Sequence, residues 1–370
     1  MKNKIFSIIA LFIPLTLNAQ KITLGSCTTH DGADYQGEML GGKPHGKGVA
    51  KFANGDTFEG EYVKGKRQGY GVYQFSDGEK YEGQWFQDQQ HGKGVYYFMT
   101  NNRYDGLWFR DYQQGQGTMY YYNGDKYVGG WVQDKRQGKG KYTYASGAFY
   151  EGEWQNDQKQ GKGHFDWADG TTYDGQWVAN QRSGKGEFRY SSGDVYVGQW
   201  KNDIQDGKGI YRFQNGDVYE GDYVQGERTG EGIVKYANGD RYVGHFDNGD
   251  KSGQGTFTWH NGDVYVGQWK NDKQNGKGKL TKKSGGVYDG TFKNGQMDGE
   301  MIIHFADGSK FKGIFRNGKR NGKAIEETKD GKRFEGSYVD DMRDGAFVEK
   351  DRNGQVTASG TYEQGMRQEK

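Results

Sequence analysis

The string GDVYVGQWKND occupies Gly193–Asp203 and recurs letter for letter at Gly262–Asp272, an offset of 69 residues. That offset is three periods of 23, and the 23-residue period runs through most of the chain. Each unit opens with an aromatic residue followed two places later by glycine. The openings are Tyr35, Phe58, Tyr81, Tyr104, Tyr127, Tyr150, Tyr173, Tyr196, Tyr219, Tyr242, Tyr265, Tyr288, Phe311 and Phe334, fourteen units with no insertion or deletion. Glycine fills the third place (Gly37 to Gly336) and the twelfth (Gly46 to Gly345) of every unit. The fifth place is tryptophan or another aromatic, except at Met39. The fourteenth is glycine until the last three units, which carry Met301, Ala324 and Phe347. The twenty-first is glycine except at Asn101; glycine and asparagine share a tolerance for positive φ, so this place serves the backbone and not a ligand.

Within a unit the period is two. Tyr265, Gly267 and Trp269 lie on one face of a strand, with Val266 and Gln268 on the other. A second alternating stretch comes next, as in Gly163-x-Phe165-x-Trp167, so each unit is two short strands. Asn-Gly pairs such as Asn215-Gly216 and Asn261-Gly262 close many units and predict two-residue hairpins there. The other connection, such as Asn271–Asn275, is expected to be longer. Counting outward, residues 20–34 read as an N-terminal capping half-repeat holding a lone second strand, and residues 35–356 as fourteen repeats with the last three atypical. Residues 357–370 read as a C-terminal half-repeat and tail, with Gly360 and Tyr362 on a lone first strand.

Composition agrees with glycine-rich β structure. Of 370 residues, 65 are glycine and only 2 proline, and rings are far too abundant for a disordered chain. Met1–Gln20 has two lysines, an apolar run and Leu17-Asn18-Ala19, which predicts a signal peptide over residues 1–19 and an exported, periplasmic, envelope or secreted protein. Without Lys2 and Lys4 the 51 basic residues fall to 49, equal to the 49 acidic ones, a balance that disfavours nucleic acid and anionic lipid as partners.

Tyr-x-Gly-x-Trp followed by Gly-x-Gly, as in Tyr265-Val-Gly267-Gln-Trp269 and Gly276-Lys-Gly278, resembles the MORN repeat. The resemblance covers Tyr35 to about Gly354 and implies an all-β fold: an elongated, single-layer, twisted antiparallel sheet of consecutive β-hairpins serving as an interaction surface or scaffold. Some members carry a lipid kinase or methyltransferase domain; here the repeats leave no room for either.

No chemical signal outweighs the structural ones. Gly41–Gly48 comes within one residue of a phosphate-binding loop, yet Gly46 and Gly48 are repeat glycines. Carboxylates at Glu59, Glu82, Glu151 and Glu220 and lysines at Lys47, Lys93, Lys139, Lys162, Lys185 and Lys208 recur in register, which predicts cross-strand pairing on the solvated face; catalysis needs a singular constellation. Of the six histidines inside the fourteen units only His45 and His91 share a place, so no metal or cofactor is expected. Cys27 stands alone at a ring position and offers an intermolecular disulfide; with the end strands it is a route to a homo-oligomer.

The ring-bearing face is the remaining candidate. Its rings form the fold's own core where they interdigitate over glycine, and a binding groove where they do not. The candidate groove residues are Trp85, Trp108, Trp131, Trp154, Trp177, Trp200 and Trp269. The reading from sequence is thus an exported, non-enzymatic repeat scaffold that binds a protein. A glycan-binding module is the first alternative and a peripheral membrane protein the second.

Overall fold

A computed structural model describes residues 21–368. The expected signal peptide lies outside the described residues. Two compact units are present: the first comprises residues up to Gly147 with Glu153–Asp157, the second Ala148–Gly152 with Gln158 onward. Among the described residues all regular structure is β, and no helix is long and apolar enough to cross a membrane.

Each unit is an antiparallel sheet in which sequence neighbours pair. In the first, Lys80–Phe86 lies beside Gln89–Tyr97, which lies beside Arg103–Phe109. In the second, Thr172–Val178, Gln181–Arg189 and Val195–Lys201 are arranged in the same way. Every 23 residues thus add a seven-residue and a nine-residue strand. Through most of the array the repeat glycines face one another across the strand pairs, as at Gly175 opposite Gly186, whereas Gly290 opposes Met301 and Gly313 opposes Ala324. Immediately afterwards the register slips, so that Trp177 opposes Arg182. Gly184, with φ +65°, takes up the slack, while Gln176 Oε1 accepts the Lys185 amide at 3.0 Å.

The two kinds of connection are the reverse of the expectation from Asn-Gly. The tight two-residue turn lies inside the unit: Asn271 and Asp272 link Val264–Lys270 to Lys273–Thr281, with φ of 48° and 64°. Two consecutive left-handed residues match the twist of the flanking strands, as a type I′ turn requires. The Asn-Gly segment is a longer loop. Trp259 N–H donates to the Asp263 carbonyl and Gly262 N–H to the Trp259 carbonyl, both at 2.9 Å, with Gly262 at φ +91°. Asn101 has φ +61°, the backbone requirement inferred from its exchange with glycine.

Neighbouring repeats are stapled by the residue after that loop glycine. Asp125 accepts the Tyr142 hydroxyl at 2.7 Å and the Ala145 amide at 2.8 Å; Asp194 does the same with Tyr211 and Gln214. Burial acts to raise the Asp125 pKa, but the donated hydrogen bonds outweigh it and hold the carboxyl below its ordinary value. On the opposite face, the expected pairing of recurrent carboxylates with recurrent lysines does not occur where the register can be traced. Glu220 lies opposite Ile210, and Lys208 reaches Asp222 at 3.0 Å instead, because the strands are offset by one alternation.

At the N-terminal end Thr23–Thr28 pairs with Asp34–Leu40, and Gly25 opposes Gly37. At the other end Val356–Glu363 pairs with Gly345–Lys350 and carries a short return strand, Met366–Arg367. The half-repeat there is therefore a small hairpin and not a lone strand.

Candidate interaction groove

The core of each unit lies on one sheet face. The opening tyrosine lies over the glycine pair: a Cβ added at Gly186 would sit 2.5 Å from Tyr173 Cε2 and Cζ. Its hydroxyl donates back to the Gln176 carbonyl at 3.1 Å. Tyr173, Tyr196, Tyr219, Tyr242 and Tyr265 are fully buried in the second unit, and Tyr81, Tyr104 and Tyr127 in the first. Burial pushes the Tyr173 hydroxyl up to about 12.

The fifth-place ring wedges between successive tyrosines. Trp177 is 5.2 Å from the Tyr173 ring at 89°, and Trp200 meets the same tyrosine at 5.6 Å and 84°, the edge-to-face geometry that aromatic pairs favour. Each indole N–H donates to a repeat glycine carbonyl, as Trp85 does to Gly71 at 3.3 Å and Trp177 to Gly163 at 3.2 Å. The seven candidate tryptophans, Trp85, Trp108, Trp131, Trp154, Trp177, Trp200 and Trp269, are only 3 to 7% exposed. The structure places them in the floor of the face, with ring edges and N–H groups committed to the protein itself.

The rings that keep exposure stand on the second strand and in the loop after it. Phe75, Phe98 and Tyr121 in the first unit, and Trp167, Tyr190, Phe213, Tyr236 and Trp259 in the second, are half-buried. Most pack against the preceding inward ring, as Phe98 does on Tyr96 at 4.6 Å and Tyr190 on Phe188 at 4.6 Å; Tyr121 and Tyr236, which follow Met119 and Val234, meet Tyr142 and Phe257 instead. Alternation over Gly163-x-Phe165-x-Trp167 was the signal for this row.

A row of long side chains borders the same face. Arg67 holds its guanidinium 4.8 Å from the Trp85 ring, Arg136 4.3 Å from Trp154, and in the second unit Arg182 4.5 Å from Trp200. Turn aspartates brace these cations: Arg136 Nε is 3.0 Å from Asp157 Oδ1, and Arg182 Nε 3.0 Å from Asp203 Oδ1. Between ring row and polar row the first unit has an open groove of about 690 Å³, lined by Phe98, Tyr121, Trp108, Trp131, Gln90 and Gln113 among others. The second unit has a smaller depression of about 480 Å³ near Phe305 and Arg320. On the opposite face of its last repeats lies one of about 1010 Å³ lined by Ile302, Ile314 and Ile325.

Among the described residues, the one cluster with metal-ligand chemistry is His30, Asp31 and Asp88. Arg67 enters it, 3.5 Å from Asp31 and 3.6 Å from Asp88, so it is accounted for as an ion-pair cluster. Cys27 is a free, half-buried thiol on the first strand.

With this geometry in place, the MORN repeat family model matches thirteen consecutive segments from residues 35–57 through 311–333. The chain belongs to the MORN repeat family. The fourteenth unit, at residues 334–356, lies beyond the matched MORN segments, and there the second strand is split into Met342–Arg343 and Gly345–Lys350. No curated protein matches the chain. Solved structures similar to it include the TCP10 domain of Danio rerio CPAP in complex with a peptide of Danio rerio STIL, 10% identical, covering 54% of this chain and 88% of that one with a TM-score of 0.34. Another is the TCP domain of Drosophila melanogaster SAS-4 in complex with a proline-rich motif of Ana2, 14% identical, covering 48% and 90% with a TM-score of 0.29. Likeness at that level carries no inference for this MORN protein.

Proposed function

We propose that this MORN repeat chain is an exported, non-catalytic scaffold that binds a protein partner through its ring-bearing face. The observation that carries the reading is the row of half-buried rings beside a row of charged and amide groups, on a face over which, among the described residues, no second layer is drawn within either unit. Rings beside braced cations and carboxylates offer both apolar area and directional polar contacts, which is the composition of a protein-recognition surface. A glycan would stack on rings with open faces, whereas these are half-buried and packed on their neighbours, as Phe98 on Tyr96 at 4.6 Å. The repetition of the carboxylates speaks for structure over acid–base chemistry.

Affinity capture from an envelope extract, with the mature chain as bait, tests the reading. A discrete protein retained by the wild-type chain, and lost on substitution of half-buried rings such as Phe98→Ser with the circular dichroism intact, is the expected result. Retention of polysaccharide alone would contradict it. Export is tested by N-terminal sequencing of the native protein, which is expected to start at Gln20.

A further inference from the structure

We infer that the groove of the first unit is a docking site for two arginine side chains of a partner peptide, spaced three residues apart. The inference rests on the scaffold reading above and names where and by what chemistry the partner engages.

The repeats supply their own comparison. Where the tenth place of a repeat is basic and the next tight turn ends in aspartate, the cation lies over the fifth-place ring of that next repeat, beside the carboxylate. Arg67 is so held between Trp85 and Asp88, and Arg136 between Trp154 and Asp157. In the second unit Arg182 repeats the arrangement with Trp200 and Asp203. Between Arg67 and Arg136 the row is interrupted twice, by Gln90 and Gln113. The receiving groups are still present: Trp108 with Asp111, and Trp131 with Asp134. The glutamine side chains are shorter and buried, at 7% and 5% exposure, and the groove of about 690 Å³ opens at these two repeats.

The two carboxylates keep one half of their usual role. Asp111 Oδ1 accepts the Gln90 amide and Asp134 Oδ1 the Gln113 amide, each at 2.7 Å, as Asp88 Oδ1 accepts the Arg67 amide at 2.8 Å. Asp111 Oδ2 also accepts the neutral side-chain amide of Gln89, at 3.2 Å. The other half, pairing with a cation over the ring, is unmet: among the described residues no lysine or arginine forms an ion pair with Asp111 or Asp134 or lies over Trp108 or Trp131. A guanidinium suits this site better than an ammonium: its edge pairs bidentately with a carboxylate at the groove border, and its flat face can lie against the half-buried rings of Phe98 and Tyr121 above the covered indoles.

Spacing selects the partner's conformation. One repeat is two strands, so the two sites are ~9.6 Å apart at ~4.8 Å per strand. A polyproline II segment places residues three apart on the same side at ~9.3 Å. The matching ligand is therefore an extended segment bearing Arg-x-x-Arg, its intervening residues against the rings of Phe98 and Tyr121.

The test is fluorescence anisotropy of a labelled peptide containing Arg-Pro-Pro-Arg, titrated with the full mature chain. Saturable binding is expected, weakened at least ten-fold when both arginines are replaced by citrulline, which keeps the shape and removes the charge. The double variant Gln90→Arg, Gln113→Arg fills both sites with the chain's own cations, as in adjacent repeats; it is expected to melt no lower than wild type and to lose the peptide at least ten-fold. Asp111→Asn with Asp134→Asn retains an amide-accepting oxygen and is expected to weaken binding similarly. Absence of saturable binding, or equal affinity in the double arginine variant or for the citrulline peptide, would overturn the assignment. In the envelope capture, a protein retained equally by wild type and the double arginine variant would overturn this site and leave the scaffold reading standing. Capture of no protein by either chain would remove the scaffold reading itself.

Discussion

At the scale of single residues, the repeat glycines and their tyrosine are one device. Gly175 and Gly186 oppose each other so that Tyr173 can lie over both. One repeat shows the effect of filling that space: with Met301 in the fourteenth place, buried to 1%, Tyr288 is the one opening ring that is not buried. Gly186→Ala is therefore expected to destabilise the second unit by ~1–3 kcal/mol, the usual range for overpacking, read from a urea melt. Trp177→Ala is expected to cost ~3–5 kcal/mol, the range for deleting a buried large aromatic, and so it reports on folding and not on recognition. Alternation showed that Trp177 and Trp167 share a face, but not their depth. Depth depends on which glycine carbonyl an indole reaches and which rings flank it across strands, and neither distance is visible along the chain.

At the scale of the element, turn chemistry was legible in kind and misplaced in position. Asn-Gly was read as the tight turn because that pair accepts two positive φ values. In the fold, pairs such as Gln87-Asp88, with φ of 50° and 72°, adopt that conformation instead, held by the demand of strand twist. The recurrence of Asp or Gly in the eighth place was the signal available. One turn carries an evident penalty: Ala179 has φ +48°, and an L-residue without a turn-forming side chain is strained there. Ala179→Gly is expected to raise stability by up to ~1 kcal/mol, since relief of strain exceeds the entropy that glycine adds to the unfolded chain. A lower melting temperature for that variant would contradict the turn assignment. The groove's half-buried rings could be listed from alternation, whereas its polar border could not, because Arg67 reaches Trp85 and Asp88 only through register between repeats.

At the scale of the whole molecule, repetition multiplies small effects. Burial raises the hydroxyl pKa of buried opening tyrosines such as Tyr173 and Tyr265, to about 12. An unfolded tyrosine loses its proton near ~10. The unfolded chain then binds fewer protons than the folded one, so stability is fully present below pH ~10 and falls as pH rises from there towards about 12. Tyrosinate absorbance is expected to rise in step with loss of the near-ultraviolet circular dichroism, and titration of all tyrosines at ~10 with the fold intact would contradict their burial. The central claim is that the repeated Tyr and Trp rows are the fold's own core and that recognition belongs to the rings beside them. Indole N–H hydrogen exchange, monitored by nuclear magnetic resonance on the chain from residue 20 onward, tests it most directly. The seven fifth-place indoles, donated to glycine carbonyls as at Trp177, are expected to exchange slowly, and Trp167 and Trp259, half-buried in the adjoining row, rapidly. Rapid exchange at all nine tryptophans would contradict the account and return the seven to the surface.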